Sequence, residues 1–86
     1  MNLTIHLYLF TLEVKKIDKV FKIVIPEGSK VVDLLYELSA RFQDIKIIDG
    51  KKTSYVLSIV NGIAVPLNED LKDGDNVSIL PLVDGG

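Results

Sequence analysis

Cysteine is absent, and histidine occurs once, as His6, in a chain of 86 residues. Without a thiol there can be no disulfide framework, no thiolate metal site and no cysteine nucleophile. A single imidazole makes neither a zinc site nor a Ser/His/Asp triad, and the pattern around His6 places it on the polar face of a strand. No phosphate-loop motif is present to hold ATP. Charge of one sign is also lacking. Ten Lys and Arg stand against twelve Asp and Glu, for a net charge of −2. That balance supplies no cationic field for nucleic acid or for an anionic membrane surface. No apolar run is long enough to span a bilayer. The stretch from Met1 to Phe10 lacks the basic start and small-residue cleavage site of a signal peptide, so a cytoplasmic protein is expected. Few tools for catalysis remain: the chain is expected to bind no metal and no cofactor, and not to be catalytic alone.

What is present is the material of one small folded domain. Hydrophobic residues make up 48% and charged residues 26%, which excludes a disordered or low-complexity chain. A domain of this size has a core but no room for a deep catalytic cleft.

Leu3, Ile5, Leu7 and Leu9 alternate with polar residues and Tyr8, the period of a strand with one face on a core. Phe21, Ile23 and Ile25 repeat the pattern up to Pro26, after a charged connection from Glu13 to Lys19, so the two runs read as an antiparallel hairpin. Ser29 stands where an N-cap hydroxyl would open a helix over residues 30 to 42. Its apolar stripe is Val31, Leu34, Leu35, Leu38 and Phe42. Residues 43 to 54 are polar, hold a turn at Asp49-Gly50-Lys51-Lys52, and receive no function. Strands follow at Tyr55 to Val60 and Ile63 to Val65, joined by Asn61-Gly62, a strong hairpin signal. A last strand covers Val77 to Leu80. One helix after a hairpin implies an α+β fold, a mixed sheet with the helix across one face. The expected core includes Leu3, Ile5, Leu7, Val31, Leu34, Leu35, Leu38, Ile59 and Val77.

The acidic stretch Glu69, Asp70, Asp73, Asp75 fails as a calcium loop. With Gly74 as the loop glycine, Leu71 falls at a ligand position and Leu80 where the bidentate glutamate belongs. Solvated turn carboxylates are expected there.

The C-terminal stretch is the candidate site. Pro81, Leu82, Val83, Asp84, Gly85 and Gly86 follow the last strand, so residues 1 to 80 read as the domain and 81 to 86 as an extended tail. Two final glycines strip side chains from the end of the backbone and let it thread a narrow channel. Six extended residues reach at most about 20 Å, enough to carry a carboxylate into a partner's active site.

Together these features resemble the MoaD/ThiS sulfur-carrier family, small ubiquitin-like proteins of the β-grasp fold. Pro26-Glu27-Gly28-Ser29 with Val31, Asp33, Leu34 and Leu35 resembles that family's helix start. Val60-Asn61-Gly62 resembles its hairpin, and Leu71, Asp73-Gly74-Asp75 and Val77 its approach to the last strand. Pro81, Val83, Gly85 and Gly86 resemble its tail; Leu82 departs from a pattern in which a second proline is common. The resemblance implies that the carboxylate of Gly86 is adenylated by an activating enzyme, which holds ATP and magnesium, and then becomes a thiocarboxylate. It implies that Pro81, Leu82, Val83, Asp84 and Gly85 contact partners, first the activating enzyme and then a sulfur acceptor such as the large subunit of molybdopterin synthase. The chain looks more like the small subunit of that synthase than like the thiamine-pathway carrier. The alternatives are the thiamine-pathway carrier itself, a ubiquitin-like modifier joined to lysines through Gly86, and a β-grasp interaction domain whose tail is inert.

Overall fold

Two strands open the chain, and every residue of the first has a partner in the second. β1 (Asn2–Phe10) and β2 (Lys16–Val24) pair antiparallel from Asn2 opposite Val24 to Phe10 opposite Lys16 in a computed structural model that describes residues 1 to 82. β2 therefore starts within the charged stretch expected to be a connection. It can do so because it is an edge strand, where exposed lysines are compatible with pairing on one side. The turn between the strands closes through Thr11 N–H to Lys15 O at 2.8 Å, with Val14 at φ 63°.

α1 (Val31–Arg41) presents Val31, Leu34, Leu35 and Leu38 to the core, as the stripe requires. Its start differs from expectation. Lys30, not Ser29, is the N-cap, and its backbone N–H donates to Asp33 Oδ2 at 2.8 Å. Ser29 Oγ instead donates to Pro26 O at 2.7 Å. No serine cap is needed, because a distant loop satisfies the first free amides: Val31 N–H donates to Glu69 O and Val32 N–H to Leu67 O, both at 2.9 Å. Phe42 closes the helix and stands half-buried against Phe21, ring centroids 5.8 Å apart.

The remaining strands are β3 (Val56–Val60), β4 (Ile63–Ala64) and β5 (Asn76–Pro81), and the five form one mixed sheet in the order β2-β1-β5-β3-β4. β5 lies parallel to β1 and antiparallel to β3. This is the arrangement the β-grasp resemblance leads one to expect. The Asn61-Gly62 hairpin forms with both residues at positive φ, 51° and 85°, as a tight two-residue turn demands.

Two expectations about the interior need correction. Ile59 is not in the core. Val56, Ser58 and Val60 point inward from β3, while Ile59 is half-buried on the opposite face. The local alternation allowed either set, and pairing decided it: Val60 opposes Val77 and Ser58 opposes Ile79, the two residues that β5 buries. The second correction concerns residues 43 to 54, where Ile45, Ile47 and Ile48 join the core. Asp49 makes the compact turn beyond them possible, its Oδ1 accepting from Lys51 and Thr53 N–H at 2.9 Å each.

Placing Ser58 inside leaves its Oγ buried with no hydrogen-bond partner among the described residues. A buried, unpaired hydroxyl carries a desolvation cost of about 1 to 3 kcal/mol, part of which its removal recovers. Ser58→Ala is therefore expected to raise stability by about 1 kcal/mol, read as a higher denaturant midpoint. A lower midpoint would mean that the hydroxyl has a partner in solution.

Candidate functional site

β5 occupies the middle of the sheet and ends at Pro81, opposite Val56 of β3. The paired backbone thus runs one residue past Leu80, and Pro81 belongs to the strand rather than following it. Pro81 is half-buried and Leu82 is 56% exposed. Val83, Asp84, Gly85 and Gly86, the rest of the expected site, lie outside the described residues.

Because β5 and β1 are parallel, the strand delivers the chain at the end of the sheet where β1 finishes in Phe10. Apolar side chains are exposed there: Phe10 at 45%, with Leu12 and Val14 in the turn that follows. The opposite end is closed by polar clamps. Asn2 N–H donates to Asp73 Oδ1 at 2.6 Å, and Asn61 Nδ2 to Asp75 Oδ1 at 2.9 Å. Asp75 also accepts from Lys72 N–H at 2.8 Å and is only 9% exposed. The acidic stretch is therefore a structural tie, and Asp75 is buried rather than solvated. Lys30 Nζ lies 2.6 Å from Asp70 Oδ1, and that hydrogen bond raises the lysine's pKa and lowers the carboxyl's.

α1 and the inward residues fill one face of the sheet. The other face is uncovered among the described residues. On it stand His6 and Tyr8 of β1, Val20 of β2, Leu57 and Ile59 of β3, Ala64 of β4 and Leu80 of β5, with Leu57 opposite Leu80 and Ile59 opposite Ala64. His6 is where the pattern put it, its Nε2 2.8 Å from Asp18 Oδ1 on the neighbouring strand. Leu57, Ile59 and Leu80 were not singled out as site residues by sequence reasoning. Their signal is there in hindsight: consecutive apolar residues such as Val56-Leu57, Ile59-Val60 and Ile79-Leu80 put apolar side chains on both faces of a strand, and the one helix among the described residues covers one face.

No group of three or more potential metal ligands occurs among the described residues, and no helix there is long and apolar enough to cross a membrane. Asp49 has a lowered pKa, first because Thr53 N–H donates to it, but its other partners are turn amides and the Tyr55 hydroxyl. That is turn chemistry. What the arrangement offers is a central strand whose described end, at Pro81 and Leu82, lies at the same end of the sheet as the exposed apolar side chains of Phe10 and Leu12.

Comparison with known proteins bears on that arrangement. A family model described as the ThiS family matches residues 8 to 86. The fold is similar to that of SAMP1 from Haloferax volcanii, with a TM-score of 0.77 at 20% identity over 100% of both chains. It is similar to a putative molybdopterin converting factor subunit 1 from Pyrococcus furiosus, with a TM-score of 0.69 at 27% identity over 96% of this chain and 99% of that one. A ubiquitin-like protein from Caldiarchaeum subterraneum shares the fold at 12% identity and a TM-score of 0.53, over 99% of this chain and 100% of that one. No curated protein matches the sequence.

Proposed function

This chain belongs to the ThiS family, and from that membership we propose that it is a sulfur carrier whose reacting group is the carboxylate of Gly86. The observation that carries the reading is one of continuity: the family match runs to Gly86, and β5 conducts the chain toward it from the centre of the sheet.

A carboxylate resists substitution until one oxygen becomes part of a good leaving group. In the proposed sequence a carboxylate oxygen of Gly86 attacks the α-phosphorus of ATP and releases pyrophosphate. Hydrosulfide from the sulfur donor then attacks the carboxyl carbon, the C–O bond to AMP breaks, and a thiocarboxylate remains after loss of the proton. The first step needs ATP and magnesium positioned by a separate activating enzyme, since this chain has no phosphate loop. The absence of cysteine fits, because sulfur held as a terminal thioacid needs no side-chain thiol. The exposed apolar face and Leu82 supply a surface on which the activating enzyme and then the sulfur acceptor dock in turn, while the glycines enter each active site.

For the acceptor we propose the large subunit of molybdopterin synthase. The support is the Pyrococcus furiosus protein, whose description is that of a molybdopterin converting factor subunit. Conjugation to lysines of other proteins would begin with the same adenylation, so the two readings differ in what attacks the activated carbonyl. The test is intact mass after incubation with the activating enzyme, ATP, magnesium and a sulfur donor. The expected product has gained sulfur in place of one oxygen. An unchanged mass, alongside tagged chain covalently joined to other proteins in cells, would replace the carrier reading with the modifier reading.

A further inference from the structure

The sheet has two edges, and they are unequal. β4 is two residues long, whereas β2 runs for nine residues with no strand beyond it among the described residues. In an antiparallel ladder, residues that exchange both hydrogen bonds alternate with residues whose main-chain groups point away. Met1 N donates to Ile25 O at 2.7 Å and Ile25 N to Met1 O at 3.0 Å, so this pair is of the bonded kind. Thr11 N–H to Lys15 O at 2.8 Å keeps the same phase at the other end. It follows that Lys16, Asp18, Val20, Lys22 and Val24 turn their backbone N–H and C=O groups outward. Val20 and Val24 are also 68% and 69% exposed.

We propose that this edge pairs with β2 of a second copy of the chain, antiparallel and two-fold symmetric about Val20. An isologous contact must be complementary to itself, and this register is. On the open face Val20 meets its own copy, Asp18 meets Lys22 of the second copy, and Lys16 meets Val24. On the helix face Lys19 meets Phe21, and Ile17 meets Ile23. Each lysine faces an acid, an aromatic ring or a valine.

The other centres that keep the outward groups together and pair at least five residues of β2 with the second copy fail on charge. An axis through Asp18 sets Asp against Asp, one through Lys22 sets Lys against Lys, and one through Lys19 sets Lys16 against Lys22. An axis through Phe21 leaves Asp18 against Val24, with no ion pair. Lysines on an edge strand ordinarily keep it unpaired, so the self-complementary order of charges is the feature that calls for a partner. The contact would join two sheets into one and leave β5, two strands inward, free at its Pro81 end. It does not rest on the sulfur-carrier reading.

Sedimentation velocity on the full chain over a concentration series tests it. A reversible monomer–dimer equilibrium is expected. Asp18→Lys or Lys22→Asp alone should weaken it about tenfold or more, since each replaces two symmetric attractions by repulsions. The combined Asp18→Lys, Lys22→Asp variant should return to within about threefold of the parent, the pairing being restored with its sign exchanged. Val20→Pro removes an outward donor without touching the ladder to β1, and should abolish association in a protein whose circular dichroism is unchanged. A chain that is monomeric up to about 1 mM, the affinity range of a very weak contact, overturns the proposal. So does a dimer in which the double reversal fails to restore what each single change removed. A monomer whose β2 amides become protected on adding a peptide of alternating Glu and Val would also overturn it, and would assign the edge to an acidic partner.

Discussion

Deleting Gly86, or adding one residue after it, is expected to abolish thiocarboxylate formation while leaving the domain folded. Adenylation needs the carboxylate in line with the α-phosphate of ATP, and a displacement of about 1 Å can cost on the order of a hundredfold in rate. One residue more or less moves the group by about 3.5 Å. Gly85→Ala should slow the reaction severely, because a methyl group enters the channel and the backbone loses conformations open to glycine. None of these changes touches the buried residues, the last of which in the described chain is Ile79. The measurement is intact mass of each variant after incubation with activating enzyme, ATP and sulfur donor, beside a thermal melt. A deleted or extended chain that still gains sulfur for oxygen would show that the terminal carboxylate is not the carrier group.

The second large effect is on stability. Leu35 is fully buried in the middle of the helix stripe. Leu35→Ala is expected to cost about 2 to 5 kcal/mol through lost transfer energy and the cavity left behind. Small domains are stable by only about 5 to 15 kcal/mol, so the melting temperature should fall by roughly 10 °C or more. Denaturant titration gives the figure directly through the midpoint. A variant that melts with the parent would contradict the packing of α1 on the sheet.

Much of the fold was legible in the order of residues, for reasons that are local. The leucines and isoleucine of β1 alternate over nine residues, the stripe from Val31 to Leu38 has helical period, and Asn61-Gly62 tolerates the positive φ its turn demands. These signals involve neighbours on one element, so the chain carries them unaided. Misread features depended on distant partners. Ser29 was expected to cap a helix whose amides are met by Leu67 and Glu69 carbonyls some forty residues away. Lys16 to Lys19 looked like a connection because charge disfavours a central strand, and only the sheet order shows that this strand is an edge.

The candidate site divides along the same line. The reacting group proposed here was legible in the sequence only through the resemblance of Pro81, Val83, Gly85 and Gly86 to the sulfur-carrier tail; the absence of cysteine and of a phosphate loop, which agree with it, are properties of composition that folding does not alter. The sequence alone determined that β3 is apolar on alternate sides without saying which side turns inward. Tertiary structure decided that. Pairing with β5 sent Val56, Ser58 and Val60 to the core and left Leu57, Ile59 and Leu80 on the face that is uncovered among the described residues. The physical reason is register: a slip of one residue exchanges the faces of a strand at no cost to its local pattern, so only contact with a neighbouring strand and a covering helix can choose between them.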